Sequence, residues 1–337
     1  MDNLTHSLVG LALSRAGLNR LTTQATAILL LAANAPDIDV VSAAGGSLAY
    51  LHYHRHLTHS LLMAPVMALL PVLLVRLVSR KPIAWHLAYL VSLVGVASHL
   101  ALDLTNIYGV RLLLPFSARW LRLDLTSVVD PWIWTALLLA VIAPALSRLV
   151  AGEIGASGAG SRPAQPGRTP ALLALAFIFL YNGTRAVVHQ RALAILDSRI
   201  YLGAAPLGIA AFPDTFNPLA WRGLVEGSRF YALFDLNVRK QFDPTTGPFF
   251  YRAEDSPALR RASETEPFKI FGAFAQYPIW TVTPISDPPN GSRVQLTDMR
   301  FGSPRRGGFK AIAILDSQQR VVSSWFSFTA RASARGN

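Results

Sequence analysis

Four long apolar stretches constrain this chain more than any other feature. They run from Ser60 to Val78, Ala84 to Leu102, Pro131 to Val150 and Pro170 to Val188. Crossing the hydrocarbon core of a bilayer takes about 20 predominantly apolar residues. Inside lipid the backbone must satisfy its own hydrogen bonds, which a helix does within one segment. Each stretch is therefore expected to span. Two earlier segments, Leu8 to Leu18 and Thr23 to Ala35, are shorter, with Arg15 near the end of one and Pro36 closing the other. They have the length of core or re-entrant helices, or pair as a hairpin that crosses with its polar ends included. The expectation is an α-helical membrane bundle of about six helices over residues 1–189.

After Gln190 the pattern changes. Short alternating or apolar runs (Ser228–Val238, Trp280–Pro284, Arg293–Met299, Phe309–Leu315 and Val321–Phe328) are separated by Pro, Gly and Asp turns. Such runs are strand signals, and the last two read as a hairpin through residues 316–320. Residues 190–337 are thus expected to form a small β-rich soluble domain. A Gly/Ser/Pro-rich stretch between Gly152 and Pro170 reads as a flexible loop joining the fifth and sixth helices. Charged residues make up only 15% of the chain, against about 25% in typical soluble domains.

The formal charge of +12 divides evenly, with 13 basic and 7 acidic residues over 1–189 and 18 and 12 over 190–337. Neither half carries a like-charge run or the aromatic-interleaved basic groove of a nucleic-acid binder. The lipid bilayer, not nucleic acid, is the expected partner. Cysteine is absent, so any metal must be held by nitrogen and oxygen. The first residues lack the positive region of a cleaved signal peptide, and His6 is expected to be retained.

Leu-Thr-His-Ser-Leu occurs twice, at 4–8 and 57–61, each time opening an apolar helix. Thr5 and Thr58 read as N-caps of those helices. Seven of the eight histidines fall within the first 99 residues, six of them at helix ends. Asp37, Asp39, Asp103, Asp124 and Asp130 lie in connections on the same side if every helix spans. Ionisable groups in or near membrane helices are costly and by default functional.

The spacings suit a metal. His56 and His59 are three apart and His99 and Asp103 four apart, so a helical turn puts each pair on one face. Pro36-Asp37-Ile38-Asp39, if extended, points both carboxylates the same way. With His6 these are ligands suited to zinc first, with manganese or iron as alternatives, and numerous enough for two ions. The same groups could instead form a structural polar network. Asp124 and Asp130 can cap the next helix, His52 and His54 can sit at the lipid interface, and Arg55 can pair with an acid or bind a phosphate.

Asp-Asn-Leu-Thr-His-Ser at 2–7, Ala-Pro-Asp-Ile-Asp at 35–39, His-Arg-His-Leu-Thr-His-Ser at 54–60 and His-Leu-Ala-Leu-Asp at 99–103 resemble the YdjM-type membrane-bound metal-dependent hydrolases. Thr105–Pro115 extends the resemblance, which covers residues 1–135 or so. It implies a metal site more firmly than a reaction. The His99/Asp103 pair and Asp37 are more loosely similar to zinc-dependent phospholipase C and the P1-type nucleases, but their N-terminal tryptophan ligand and later histidines are lacking.

The leading expectation is metal-dependent hydrolysis of a phosphoester or lipid-linked, amphipathic substrate at the membrane face. His59, His99 and Asp103 would hold one metal, and His6, Asp37 and His56 would complete it or bind a second. Asp39 would act as general base toward water at the metal, and Arg55 would meet developing phosphate charge. The rival is a metal-stabilised scaffold or transporter without turnover. Arg15, Arg20, Arg76, Arg80, Lys81, Arg148, Arg162 and Arg168 lie opposite the cluster. The positive-inside rule then puts cluster and C-terminal domain outside the cytoplasm of a bacterial inner membrane. Arg111, Arg119 and Arg122 weigh against that.

Overall fold

The computed structural model describes residues 1–153 and 167–328. Most of the loop read between Gly152 and Pro170 lies outside the described residues. The chain divides into two compact units: residues 1–39, 55–190 and 213–219 in the first, and 40–54, 191–212 and 220–337 in the second.

In chain order the helices of the N-terminal half are α1 (Asn3–Ala16), α2 (Ala25–Ala32), α3 (Ser47–Tyr53), α4 (Ala64–Ser79), α5 (Trp85–Thr105), α6 (Pro131–Glu153) and α7 (Arg168–Asp197). Of these, α3 belongs to the second unit, so the segment that sequence assigns wholly to the helical half is shared.

The centre of the first unit is its shortest helix. α2 is apolar apart from Thr26, and its Ile28, Leu29 and Ala32 are completely covered, while Leu31 is 40% exposed. It packs against α1, α4 and α5. Two glycines make that closeness feasible. A Cβ at Gly10 of α1 would lie 2.9 Å from the Leu29 carbonyl oxygen, and one at Gly95 of α5 only 2.7 Å from Ala32 Cβ. On the other flank, Leu8, Val9 and Ala12 of α1 pack with Ile133, Leu137 and Ala140 of α6 and Ala171 and Ala174 of α7. Pro144 inside α6 has no N–H to give the Ala140 carbonyl. Arg15 Nη1 reaches the Ala140 and Val141 carbonyls, at 3.4 Å each.

α5 and α7 are long and apolar enough to cross a membrane singly, and up to four spans result if two bent helix pairs each count as one. The expected span from Ser60 does not form as one helix. Pro65 stands in the first turn of α4, and proline there favours a start, not a continuation. The sixteen residues of α4 rise about 24 Å, short of the roughly 30 Å hydrocarbon core. Helix α6, Pro131–Glu153, covers the whole of the stretch expected from Pro131 to Val150.

The second unit contains two four-stranded sheets. The first has the order β1 (Gly208–Pro213), β2 (Ala220–Glu226), β3 (Phe230–Asn237), β4 (Phe249–Tyr251); the second β5 (Pro278–Ile285), β6 (Gly291–Asp298), β7 (Lys310–Leu315), β8 (Val321–Ser327). Each pairing within the second sheet is antiparallel. The β7–β8 hairpin forms where the turn signal lies, with Asp316 N donating to the Arg320 carbonyl at 3.0 Å. Two helices not expected from sequence, α8 (Pro257–Ser263) and α9 (Glu266–Phe274), also belong here. In α9, Phe268, Phe271 and Phe274 recur every third residue and are buried, and Phe271 packs on Phe326 of β8 at 5.1 Å between ring centroids.

Candidate metal centre

Four stretches of the first unit deliver the polar cluster. α1 starts where it does because the Asp2 carboxylate accepts from Thr5 N at 3.0 Å. Asp2, and not Thr5, is therefore the cap. The Thr5 hydroxyl instead donates to Asp2 at 2.5 Å and accepts from Trp134 Nε1 of α6 at 2.8 Å. These bonds fix the first turn and turn His6 inward, where it is 1% exposed.

α2 ends just before Pro36, and residues Ala35–Gly45 continue as a 3₁₀ run, not in the extended form that would point both carboxylates the same way. The tighter turn still brings Asp37 and Asp39 to the cluster, but to different sides of one histidine. The second Leu-Thr-His-Ser differs in structure from the first. It forms a 3₁₀ turn over Leu57–His59, so Thr58 caps no α-helix. His56 precedes that turn with non-helical backbone, φ −91° and ψ −128°. It therefore does not share a helical face with His59, and it lies outside the group of converging ligand atoms. On α5 the i, i+4 pair His99 and Asp103 projects to one side, as its spacing predicts.

Asp37, His59, His99 and Asp103 each offer a ligand atom, all within 4.8 Å of one another, and all four residues are buried. His59 Nε2 lies 3.1 Å from His99 Nε2. Asp37 Oδ1 stands 3.3 Å from the first and 3.7 Å from the second. Asp103 Oδ2 is 3.5 Å from His59 Nε2 and 3.4 Å from His99 Nε2.

The outer nitrogens decide what these inner ones are. His99 Nδ1 is 2.7 Å from the Ala33 carbonyl oxygen, which can only accept, so Nδ1 carries the proton. His59 Nδ1 is 3.2 Å from Asp39 Oδ2 and 3.1 Å from the Thr58 hydroxyl, which itself donates to Asp39 at 2.7 Å. The proton of His59 is therefore also on Nδ1. With Nδ1 the donor on each ring, the two Nε2 atoms are the positions left to a metal, and they face each other and two carboxylate oxygens. A set of acceptors aimed at one point, each ring oriented by a carbonyl or carboxylate behind it, is how proteins prepare metal ligands.

His6 extends the cluster. Its ring stacks on His99 at 3.8 Å between centroids, and its Nε2 is 3.5 Å from Asp103 Oδ1. Neither His6 ring nitrogen has a hydrogen-bond partner, and Asp103 Oδ2 accepts no hydrogen bond. Buried polar atoms are normally paired, so these orphans fit a cation among them. Two carboxylates with neutral imidazoles match zinc, manganese or ferrous iron.

Arg55 closes the other side of Asp103. Its buried guanidinium reaches Asp103 Oδ1 at 2.9 Å, the Asn106 side chain at 3.2 Å and the Gly109 carbonyl at 3.1 Å, and lies over the Tyr108 ring at 4.7 Å. The first amino group of the chain also pairs with Asp103 Oδ1. Arg55 has φ +59°, rare for a residue with a side chain, and its backbone N–H donates to Asp39 Oδ2 at 2.9 Å. Asp39 and Arg55, the two residues given chemical roles from sequence, directly contact the candidate ligands His59 and Asp103. Asp130 caps α6 through the N–H groups of Trp132 and Ile133, at 3.0 and 3.2 Å, and Asp124 pairs with Arg122. Thr58, Asn106, Tyr108 and the Ala33 carbonyl are members that sequence reading missed. Only Asn106, three residues beyond Asp103, offered a spacing signal.

Comparison with known proteins agrees with this architecture. Residues 257–333 match the YfhP C-terminal alpha/beta plait domain. The chain is 31% identical over 149 residues to the uncharacterized protein YfhP of Bacillus subtilis (strain 168), covering 42% of this chain and 45% of that protein. The aligned part thus spans less than half of the relative's length. No solved structure matches the chain. Residues 1–192 match the model of the YdjM inner membrane protein, more than half of the 337 residues, and the chain belongs to that membrane protein family.

Proposed function

We propose that this protein is a membrane-bound, metal-dependent hydrolase acting on a phosphoester or lipid-linked substrate at the membrane face. The carrying observation is the convergence of His59 Nε2, His99 Nε2, Asp37 Oδ1 and Asp103 Oδ2 with no proton donor among them once both imidazoles carry Nδ1–H. A divalent ion bound there would supply Lewis acidity toward a phosphoryl oxygen and toward water. His59, His99, Asp37 and Asp103 hold it, and His6 is the fifth ligand. Asp39 orients His59 through Nδ1, and Arg55 orients Asp103; both are positioning residues in this reading.

The substrate class rests on what surrounds the ligands. Leu4, Ile38, Leu57 and Leu61 neighbour His6, Asp37 and His59 in sequence and are 46%, 58%, 45% and 56% exposed. Exposed apolar residues flanking the ligands along the chain suit an amphipathic substrate. Arg15, Arg80 and Lys81 lie at the helix ends opposite His6 and His99, which supports an extracytoplasmic cluster.

One observation favours the rival reading, a metal-stabilised scaffold. His59, His99 and Asp103 are each 0% exposed, and structural sites are closed whereas catalytic ones keep an open position. The experiment loads detergent-purified protein with Co(II) and compares it with a His59→Ala/Asp103→Ala double variant. The wild type is then assayed on phosphomonoesters, phosphodiesters and pyrophosphates with short and long acyl chains. Stoichiometric metal, a spectrum perturbed by added phosphate and turnover that needs the metal support the hydrolase. Metal without phosphate perturbation or turnover establishes the scaffold. No metal in either protein rejects both.

A further inference from the structure

The first excursion of the chain from the helical unit begins and ends at the metal centre. Residues 40–54 belong to the second unit. The chain leaves directly after Asp39 and returns directly before Arg55. In the second unit α3 packs against α9 and β8. Leu51 is buried there at 2% exposure, the Ser47 hydroxyl donates to the Phe326 carbonyl at 3.3 Å, and Tyr50 meets Phe328 edge-on at 5.7 Å.

Back in the helical unit the two ends of this fifteen-residue loop are clasped by one carboxylate. Asp39 Oδ2 accepts from Arg55 N at 2.9 Å and from Thr58 Oγ at 2.7 Å, and lies 3.2 Å from His59 Nδ1. The Arg55 side chain in turn grips Asp103. One peptide link therefore separates each end of a segment built into the second unit from a residue that orients a metal ligand.

We propose that docking of α3 within the second unit positions the metal ligands, so that the C-terminal domain governs the affinity of the centre. This rests on the metal reading above. Leu51 is then a positioning residue acting through the chain. Anchoring the middle of a short loop restricts where its ends can lie. Here those ends carry the clasp on His59 and the guanidinium on Asp103. Released from its anchor, the loop gains conformations in which Asp39 and Arg55 part. The ligands then lose the orientation that such partners supply, which costs roughly 10–100-fold in metal affinity elsewhere.

The test uses full-length protein in detergent and Co(II) as the probe, read by affinity and by visible absorption. Leu51→Asp undocks α3. A Gly-Gly-Ser insertion between Gly45 and Gly46 leaves α3 intact but slackens the connection, and so remains decisive if Leu51→Asp does not fold. Tyr50→Phe keeps the ring contact and serves as the conservative control. The expected result is at least roughly tenfold weaker Co(II) binding and an altered spectrum for the first two, with Tyr50→Phe like wild type. Wild-type affinity and spectrum in the insertion variant would overturn the coupling while leaving the metal site standing. A wild type that binds no Co(II) removes the metal reading itself, and this proposal with it.

Discussion

His59 and His99 face each other through their Nε2 atoms at 3.1 Å while each gives its Nδ1 proton to a fixed acceptor behind it. Both Nε2 atoms and two carboxylate oxygens converge there out of water, so a divalent cation is expected to bind the folded protein and to stabilise it. Anything that binds the folded state alone stabilises it by mass action, about 2.7 kcal/mol at a hundredfold excess over Kd. Chelator treatment should lower the melting temperature of purified protein, and zinc or manganese should restore it. Equal melting curves for stripped and reloaded protein would contradict the arrangement. Acidification should release the metal, because protons compete for the same Nε2 lone pairs and carboxylates.

Asp39→Asn separates the two roles open to this carboxylate. As a positioning residue it keeps His59 in the tautomer whose lone pair points inward. Asparagine can still accept one hydrogen bond but brings an amide donor toward the Arg55 N–H, Thr58 and His59. Metal affinity is expected to fall roughly 10–100-fold, with turnover recovering at saturating metal. If affinity holds while turnover disappears, Asp39 is the general base that the sequence suggests.

Arg55→Lys keeps the charge and removes the fork. A lysine ammonium can meet Asp103 but cannot also span Asn106 and the Gly109 carbonyl, nor lie flat over Tyr108 as a planar guanidinium does. About tenfold weaker metal binding with an unchanged fold is expected. A variant that binds metal normally but loses affinity for a phosphate-bearing substrate would return Arg55 to the substrate side.

Much of this was legible because membrane helices and metal ligands leave strong local signals. The i, i+4 pair on α5 follows directly from helix geometry, and the last hairpin from its turn residues. What escaped was set by long-range packing. The length of α2 already allowed a core helix as well as half a hairpin, but not that the end of this eight-residue helix supplies the Ala33 carbonyl to His99. The repeated Leu-Thr-His-Ser suggested two equivalent helix starts, but Pro65 delays the second and leaves His59 on a 3₁₀ turn. Residues 40–54 look like a connection because nothing local shows that Leu51 is buried in a domain more than a hundred residues away. The partners of Asp39 and Arg55, His59 and Asp103, were likewise out of reach of a reading that shows charge but no contacts.

Gly95 joins packing to chemistry most directly. A methyl group at this position would stand 2.7 Å from Ala32 Cβ and 3.3 Å from Ala33 N, so α5 and α2 would have to separate. Ala33 supplies the carbonyl that fixes His99 Nδ1, one helical turn further along α5. Gly95→Ala should therefore cost about 1–3 kcal/mol of stability through overpacking and also weaken metal binding, although no ligand is altered. Alanine is the better helix former by about 1 kcal/mol, so the sign of the stability change tests the packing. Thermal melts and Co(II) titration on the same preparation separate the effects. A variant more stable than wild type and equal in metal affinity would mean that the helices do not meet as closely as Gly95 and Ala32 do here.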